Sequence, residues 1–219
     1  MRIGCGIRSS ARRITAGFVL AAGLAAAGSA AGPAAAQTLA SLPTPSAVTT
    51  AMGEARPLVA WVEFCAHYGS ECAIDPNEPD TVTLTPRVWQ TVNQVNRAVN
   101  ASLRAVTDQD HWGVPDRWDL AEDGAGDCED FQLLKRKLLA QNGLPRRAMR
   151  MTVVIDEKGE GHAVLMLRSD RGDLILDNKT SAILPWHRTG YTFIKREGHN
   201  SVAWVSLGRA TTPTVTANQ

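Results

Sequence analysis

A cysteine in the middle of the chain lies where a loop meets the start of a predicted helix. Cys128 stands within Gly126–Asp130, whose sequence is Gly-Asp-Cys-Glu-Asp. In the first turn of a helix a thiol faces backbone N–H groups and the positive end of the helix dipole, which favour the thiolate over the thiol. The same N–H groups could hold an oxyanion during acyl transfer. Cys128 is therefore a candidate nucleophile, and a buried structural cysteine is the alternative interpretation.

The immediate neighbours of this cysteine oppose an ionised sulfur. Asp127, Glu129 and Asp130 place negative charge beside it, and nearby negative charge raises the pKa of a thiol. We therefore expect a reactive thiolate at Cys128 only where this charge is neutralised.

A histidine and an aspartate farther along the chain could complete the chemistry. His162 opens an apolar run, and Asp177 closes the next one. A tight hairpin loop between the two runs would pair residue 168 with residue 173 and place residue 164 opposite residue 177. His162 and Asp177 then lie diagonally on one side of the sheet, close enough for the carboxylate to orient the imidazole. A slip of one residue would place them on opposite faces.

These three side chains together suit nucleophilic catalysis by a thiol. The imidazole would take the thiol proton, the carboxylate would fix the tautomer, and the helix start would stabilise the oxyanion. A histidine beside an apolar strand is also common as a structural residue, which is the alternative for His162. The combination of Cys128, His162 and Asp177 favours the catalytic interpretation.

The start of the chain has the composition of a signal peptide. Residues 1–36 contain four arginines, no acid, an Ala-rich apolar stretch and small residues at the end, which predicts a signal peptide cleaved before Gln37. An uncleaved membrane anchor is the alternative, although the Ala- and Gly-rich core is weakly hydrophobic.

With 23 Lys and Arg against 22 Asp and Glu, the chain has no basic surplus that would attract nucleic acid. We expect a periplasmic or secreted protein with no stable membrane insertion after cleavage.

Three cysteines remain after cleavage, and export would place them in an oxidising compartment. They are Cys65, Cys72 and Cys128. The sequence Tyr-Gly-Ser between the first two suggests a bend that lets their sulfurs meet, so we expect a local Cys65–Cys72 disulfide. A metal site formed by this pair with His67 is the alternative, but its spacing is not a usual one for zinc. Cys128 then remains a free thiol.

The spacing of apolar residues predicts the helices that must position Cys128, His162 and Asp177. Residues 37–56 are predicted to be a flexible lead-in, residues 57–210 a single domain, and residues 211–219 a disordered tail. Helices are predicted over residues 58–68, from Pro86 to about residue 103, and from Asp127 to about residue 143. Their expected core positions are Leu58, Val59, Val62, Cys65 and Ala66 in the first helix, Val88, Val92, Val95, Val99 and Leu103 in the second, and Phe131, Leu134, Leu138 and Leu139 in the third.

Strand-like runs follow the third helix. They cover Met149–Ile155, His162–Ser169, Asp173–Asp177, Tyr191–Arg196 and Val202–Leu207. Helices followed by a run of short strands predict an α+β fold, with N-terminal helices packed on an antiparallel sheet.

Three segments of the chain resemble the motifs of a known family. They are Gly126–Asp130, Gly161–Leu165 (Gly-His-Ala-Val-Leu) and Leu176–Asn178 (Leu-Asp-Asn), with 34 residues from the cysteine to the histidine and 15 from the histidine to the aspartate. In their order and compact spacing they resemble the bacterial transglutaminase-like cysteine proteinases, the family of the LapG-like periplasmic proteases. The resemblance extends over about residues 61–207 and implies a papain-like, transglutaminase-like core.

The resemblance also implies roles for individual residues. Cys128 would be the nucleophile, His162 the general base and acid, and Asp177 the group that orients the imidazole. LapG-like members are calcium-dependent through acidic ligands beside the nucleophile, and by position these ligands would be Asp127 and Glu129. Two carboxylates do not complete the six to eight oxygens of a calcium ion, so a solvated acidic helix start is the alternative. No organic cofactor is implied.

The expected function is that of an exported cysteine peptidase. It would hydrolyse peptide bonds of a protein substrate, such as an adhesin or another envelope protein, through a thioester intermediate. Transfer of the acyl group to an amine is one alternative, because a thioester reacts with either nucleophile. A catalytically inactive, calcium-responsive binding module is the other alternative.

Overall fold

The computed structural model describes residues 41–199 and 203–208. The predicted signal peptide of residues 1–36 and the predicted tail of residues 211–219 lie outside these residues. Within the described part, no helix has the length and apolarity needed to cross a membrane.

Helices and strands alternate little along the described chain, and most of the strands follow the helices. The helices are α1 (Val59–His67), α2 (Gly69–Cys72), α3 (Pro86–Ser102), α4 (Asp108–His111) and α5 (Cys128–Gln141). The strands are β1 (Gly53–Ala55), β2 (Arg104–Ala105), β3 (Ala125–Gly126), β4 (Met149–Ile155), β5 (Gly161–Ser169), β6 (Gly172–Leu176), β7 (Leu184–Pro185), β8 (Thr192–Glu197) and β9 (Trp204–Ser206). The sequence missed β1, β7 and the short β2 and β3, which are only two or three residues long.

The large sheet has seven strands in the order β1-β9-β8-β4-β5-β6-β7. Each neighbouring pair in it is antiparallel, whereas β2 and β3 form a separate parallel pair. α5 packs against β5, and α3 packs against α5. This arrangement confirms the predicted α+β fold with N-terminal helices on an antiparallel sheet.

The centre of the sheet is buried on both faces. Met151 and Val153 of β4 belong to the main core with the helices, and Val154 belongs to a second apolar cluster with Met166. Successive strand residues point to opposite faces, so the two clusters lie on opposite sides of the sheet. Burial on both sides explains the continuous apolar run from Ala163 to Leu167 in β5.

The starts of α3 and α5 follow from local sequence. The hydroxyl of Thr85 accepts a hydrogen bond from the backbone N–H of Val88 at 3.2 Å, and Pro86 occupies the first turn of α3. At the start of α5 the Asp130 carboxylate accepts from the backbone N–H of Asp127 at 3.3 Å. The predicted core positions of the two helices are buried (Val92, Val95, Val99, Phe131 and Leu139) or partly buried (Val88, Leu103, Leu134 and Leu138).

The core-facing side of α1 is only partly the one that the sequence predicts, since Leu58 is buried and Cys65 packs against the core, whereas Ala66 is exposed. The helix forms where expected, but Val59 is 74% exposed and Val62 is 53% exposed. Trp61 and Phe64 are buried instead, and Trp61 packs edge-on against Trp118 with ring centroids 5.6 Å apart. Aromatic side chains bury more apolar area than valine, and they set the orientation of this helix.

The lead-in also differs from the flexible segment predicted over residues 37–56. β1 lies within it and pairs with β9 at the edge of the sheet. Thr49 is buried, and both its backbone N–H and its hydroxyl donate to Oδ2 of Asp173 at 2.7 Å. Apolar periodicity does not detect such a segment, because backbone pairing and buried polar contacts attach it to the domain.

The predicted disulfide between Cys65 and Cys72 is confirmed. It joins α1 to α2, with the two Cα atoms 5.6 Å apart. Both sulfurs are bonded to each other and neither is a thiolate, so the alternative of a metal site formed with His67 is wrong. Cys128 lies outside this disulfide, as expected, and is buried.

Candidate active site

Cys128 is the first residue of α5, and its side chain is fully buried. Its Sγ accepts a hydrogen bond from the backbone N–H of Ala163 at 3.3 Å. The thiol donates in turn to Oε2 of Glu129 at 3.1 Å. Ala163 directly follows His162 in β5, so the first contact places the start of α5 against the strand that carries the histidine.

His162 and Asp177 are brought together by the hairpin of β5 and β6. Arg168 pairs with Asp173, which confirms the predicted register. Nε2 of His162 donates to Oδ1 of Asp177 at 2.9 Å, and both side chains are buried. A carboxylate can only accept, so Nε2 carries the proton and Nδ1 is left as a base. Nδ1 is buried, and no hydrogen-bond partner for it lies among the described residues.

Several donors keep Asp177 ionised inside the protein. Burial alone would raise the pKa of this carboxyl, but hydrogen bonds from His162, from the Tyr191 hydroxyl and from the backbone N–H of Lys179 outweigh it and lower the pKa. The Tyr191 hydroxyl lies 2.7 Å from Oδ2 of Asp177, and the Lys179 N–H lies 3.1 Å from Oδ1. The buried Lys135 ammonium donates to the backbone carbonyl of the same aspartate at 2.9 Å.

The surroundings of Cys128 hold its sulfur as a thiol. Burial raises the pKa of Cys128, and the charges of Glu129 and Asp127 raise it further. The hydrogen bond from Ala163 acts in the opposite direction but is the smaller effect. The expectation that the flanking acids oppose ionisation of this sulfur is therefore confirmed.

Five acidic residues lie close together beside the cysteine. This acidic cluster consists of Asp108, Asp116, Asp127, Glu129 and Asp130. It contains two groups of three carboxylates, and within each group the oxygens lie within 4.8 Å of one another. One group consists of Asp108, Asp127 and Asp130, and the other of Asp108, Asp116 and Glu129. Mainly because of burial, the pKa of Asp108 is raised to about 6 and that of Asp127 to about 7, and the pKa values of Glu129 and Asp130 are also raised.

The donor set of the acidic cluster fits a divalent cation. Oδ1 of Asp108 and Oδ1 of Asp127 are buried and have no hydrogen-bond partner within residues 41–199 and 203–208. Their other oxygens accept from backbone N–H groups, Oδ2 of Asp108 from Arg117 and Oδ2 of Asp127 from Asp108. Buried carboxylate oxygens without donors are unfavourable, whereas converging carboxylate oxygens are the ligands that calcium prefers.

Sequence reasoning found the three central side chains and missed several of their neighbours. Asp108 and Asp116 come from the segment that precedes α5, where an abundance of aspartate is the only sequence signal. Tyr191 was predicted only as the start of a strand, and Lys135 only as a residue within the third predicted helix. No pattern in the sequence indicates that either residue contacts Asp177.

Comparisons with known proteins relate the chain to one family. The sequence profile of the bacterial transglutaminase-like cysteine proteinases, BTLCP, matches residues 51–212. The calcium-bound structure of LapG from Legionella pneumophila is 26% identical over 58% of this chain and 74% of that chain, with a TM-score of 0.48. The EGTA-treated structure of LapG from the same organism is 22% identical over 71% of this chain and 90% of that chain, with a TM-score of 0.46. A comparison with curated proteins finds no match. Because the family profile covers most of its length, the chain belongs to the bacterial transglutaminase-like cysteine proteinases, a family of cysteine peptidases.

Proposed function

We propose that this cysteine peptidase is exported and hydrolyses peptide bonds of a protein substrate through Cys128, His162 and Asp177. The observation that carries the proposal is the buried hydrogen bond between His162 and Asp177, together with a buried cysteine outside the Cys65–Cys72 disulfide at the start of α5. The unpartnered Nδ1 of His162 is the base that such a reaction needs.

The reaction begins with transfer of the thiol proton from Sγ of Cys128 to Nδ1 of His162. The thiolate attacks the scissile carbonyl carbon and forms a C–S bond, while the carbonyl electron pair moves onto oxygen. The first turn of α5 offers backbone N–H groups and a favourable dipole to this oxyanion. The imidazolium then protonates the leaving amine, the C–N bond breaks, and a thioester remains on Cys128. Water attacks the thioester with His162 again as base and releases the new carboxylate.

The role of Asp177 is to hold the imidazole in this cycle. Its ionised carboxylate fixes the proton on Nε2 and stabilises the imidazolium that forms when Nδ1 is protonated. Three hydrogen-bond donors keep the carboxylate charged although it is buried.

The acidic cluster would hold the cation, and we propose calcium. Asp127 and Glu129 would be ligands on either side of the nucleophile, and Asp108 and Asp116 supply further carboxylates from the preceding segment. A bound divalent cation would neutralise the charge that raises the pKa of Cys128 and would compete for the Glu129 oxygen that now accepts the thiol proton.

Export and substrate class complete the proposal. The basic, Ala-rich start of the chain supports a cleaved leader, and the Cys65–Cys72 disulfide suits an oxidising compartment such as the periplasm. Protein substrates in that compartment include adhesins and other envelope proteins.

A peptide library with mass-spectrometric detection tests the activity. The purified protein, with calcium present, is expected to cleave a subset of peptides, and Cys128→Ala and His162→Ala are expected to abolish the products while both variants stay folded. His187→Ala, at an exposed histidine, is the matched control and should retain activity. Addition of methylamine separates hydrolysis from amide transfer, because transfer would place methylamine on the new carboxyl end. Cleavage that persists in Cys128→Ala, or no cleavage by the unaltered protein, would overturn the proposal.

A further inference from the structure

We propose that Tyr191 is a positioning residue of this active site, which holds Asp177 and His162 in the geometry that engages Nε2 of the imidazole and leaves its Nδ1 available as the base. The inference rests on the proposed function, since it assigns a role within the same three-residue arrangement. It is carried by two separate contacts of one side chain, a hydrogen bond through the hydroxyl and a packing contact through the ring.

The hydroxyl of Tyr191 completes the hydrogen bonding of the Asp177 carboxylate. Oδ1 accepts from Nε2 of His162 at 2.9 Å and from the backbone N–H of Lys179 at 3.1 Å. Oδ2 accepts from the Tyr191 hydroxyl at 2.7 Å. The terminal torsion of an aspartate is soft, so donors on both oxygens are needed to fix the plane of the carboxylate. Without the hydroxyl, Oδ2 would be a buried carboxylate oxygen with no donor from the described residues.

The ring of Tyr191 restrains the imidazole itself. Its centroid lies 5.7 Å from that of His162, with the two planes at 82°. In this edge-on arrangement the tyrosine ring limits rotation of the imidazole about its bond to Cβ. The same side chain therefore restrains both the histidine and the group that orients it.

The hydroxyl is suited to donate at every working pH. Burial and the adjacent Asp177 carboxylate raise the pKa of Tyr191, and the negative charges of Glu157 and Asp156 act in the same direction. The proton therefore stays on the phenol, while the carboxylate stays charged. Asp156 is itself paired with the Lys179 ammonium, so this cation is engaged by another carboxylate.

Other contacts of Asp177 do not duplicate this role. The Lys135 ammonium and the Asn100 amide donate to its backbone carbonyl at 2.9 and 2.8 Å. They fix the course of the chain after β6 and leave the torsions of the side chain free. Tyr191 lies in the segment before β8. Among the described residues, Tyr191 and His162 are the two whose side chains donate to the Asp177 carboxylate.

The test compares two substitutions that each remove one phenolic hydroxyl. The chain has two tyrosines, so Tyr191→Phe has a natural control in Tyr68→Phe, at a half-buried tyrosine of the α1 end. We expect Tyr191→Phe to lower kcat roughly 10- to 100-fold with KM changed less than about twofold, as suits the loss of one charge-assisted hydrogen bond. Tyr68→Phe is expected to leave both parameters unchanged.

Two spectroscopic measurements separate positioning from a general structural role. An imidazole N–H that donates to a buried carboxylate gives a resolved downfield proton signal, and the signal assigned to His162 by its loss in His162→Ala should shift or broaden in Tyr191→Phe but not in Tyr68→Phe. Incorporation of 3-fluorotyrosine into the Tyr68→Phe protein leaves one ¹⁹F signal, from Tyr191, which Asp177→Asn should move. The second measurement needs no substitution at Tyr191 and remains informative if Tyr191→Phe does not fold.

The outcomes distinguish this inference from the proposed function. An unchanged His162 signal in Tyr191→Phe, or a ¹⁹F signal indifferent to Asp177→Asn, would overturn the positioning role even in an active peptidase. Equal losses of activity in the two tyrosine variants would overturn it as well. Absence of peptidase activity in the unaltered protein would overturn the proposed function. The two spectra would still decide whether Tyr191 holds Asp177 and His162 in place.

Discussion

The backbone N–H of Ala163 donates to the sulfur of Cys128 across 3.3 Å. This hydrogen bond joins the first residue of α5 to the strand residue next to His162, although the two residues are 35 positions apart in the chain. It favours the thiolate, but burial and the flanking carboxylates outweigh it. The sulfur therefore lies beside the strand that carries His162 and is held as a thiol.

Removing the charge of Glu129 should make Cys128 more reactive in the presence of a chelator. Glu129→Gln keeps the shape of the side chain but replaces the carboxylate that accepts the thiol proton with a neutral amide. We expect the pKa of Cys128 to fall by about one unit or more and iodoacetamide alkylation at pH 8 to accelerate about tenfold. Glu122→Gln, at an exposed acid of the same region, is the control. A pKa of Cys128 that is the same in both variants would contradict the electrostatic account.

Calcium should stabilise the protein most at neutral and higher pH. The pKa values of Asp108 and Asp127 are raised to about 6 and about 7 in the folded state, above about 3.9 for an unfolded aspartate. Between about pH 4 and pH 7 the folded state holds more protons, so without calcium its free energy of unfolding falls as pH rises.

A bound cation would replace these protons and remove the destabilisation. We therefore expect the calcium-induced rise in Tm to be larger at pH 7.5 than at pH 5, where protons compete, and to be smaller in Asp127→Asn. Thermal unfolding with calcium and with EGTA at both pH values checks this. A calcium effect that is equal at the two pH values, or absent, would contradict the proposed use of the acidic cluster.

Lys135 should make the stability of the fold depend on pH above neutrality. Burial lowers its pKa to about 7, from about 10.4 in an unfolded chain. Above pH 7 the folded state loses this proton while the unfolded state keeps it, so the free energy of unfolding rises with pH by up to about 1.4 kcal/mol per unit.

We expect this slope to disappear between pH 7.5 and 8.5 in Lys135→Met. Lys137→Met removes a lysine whose side chain is 28% exposed on the same helix and should keep the slope. Urea unfolding across this range measures the difference between the two variants. Parallel pH profiles for the two substitutions would show that Lys135 is charged in the folded protein.

The disulfide between Cys65 and Cys72 should contribute modestly to stability and not to the thiol chemistry. It closes a short loop, with a sequence separation of 7, so the double variant Cys65→Ser, Cys72→Ser should lose about 2 kcal/mol of unfolding free energy. The alkylation rate of Cys128 at neutral pH should stay within about twofold of the unaltered protein. A large change in that rate would place the α1–α2 segment in contact with the reaction centre.

The sequence by itself determined the parts of the site that depend on local geometry. The cap at the start of α5 follows from the residues around Cys128, and a tight turn between β5 and β6 is enough to define the register that places His162 beside Asp177. Both are set by neighbouring residues, through backbone hydrogen bonds of fixed period.

Only the tertiary structure decided which distant groups surround these residues. Asp108 and Asp116 join the acidic cluster, and Tyr191 and Lys135 reach Asp177, because segments remote in sequence pack against the start of α5 and the end of β6. The orientation of α1 was likewise decided by the fit of Trp61 into the core rather than by its valine spacing. Such contacts depend on how whole elements bury their surfaces together, and apolar periodicity within one element carries no information about them.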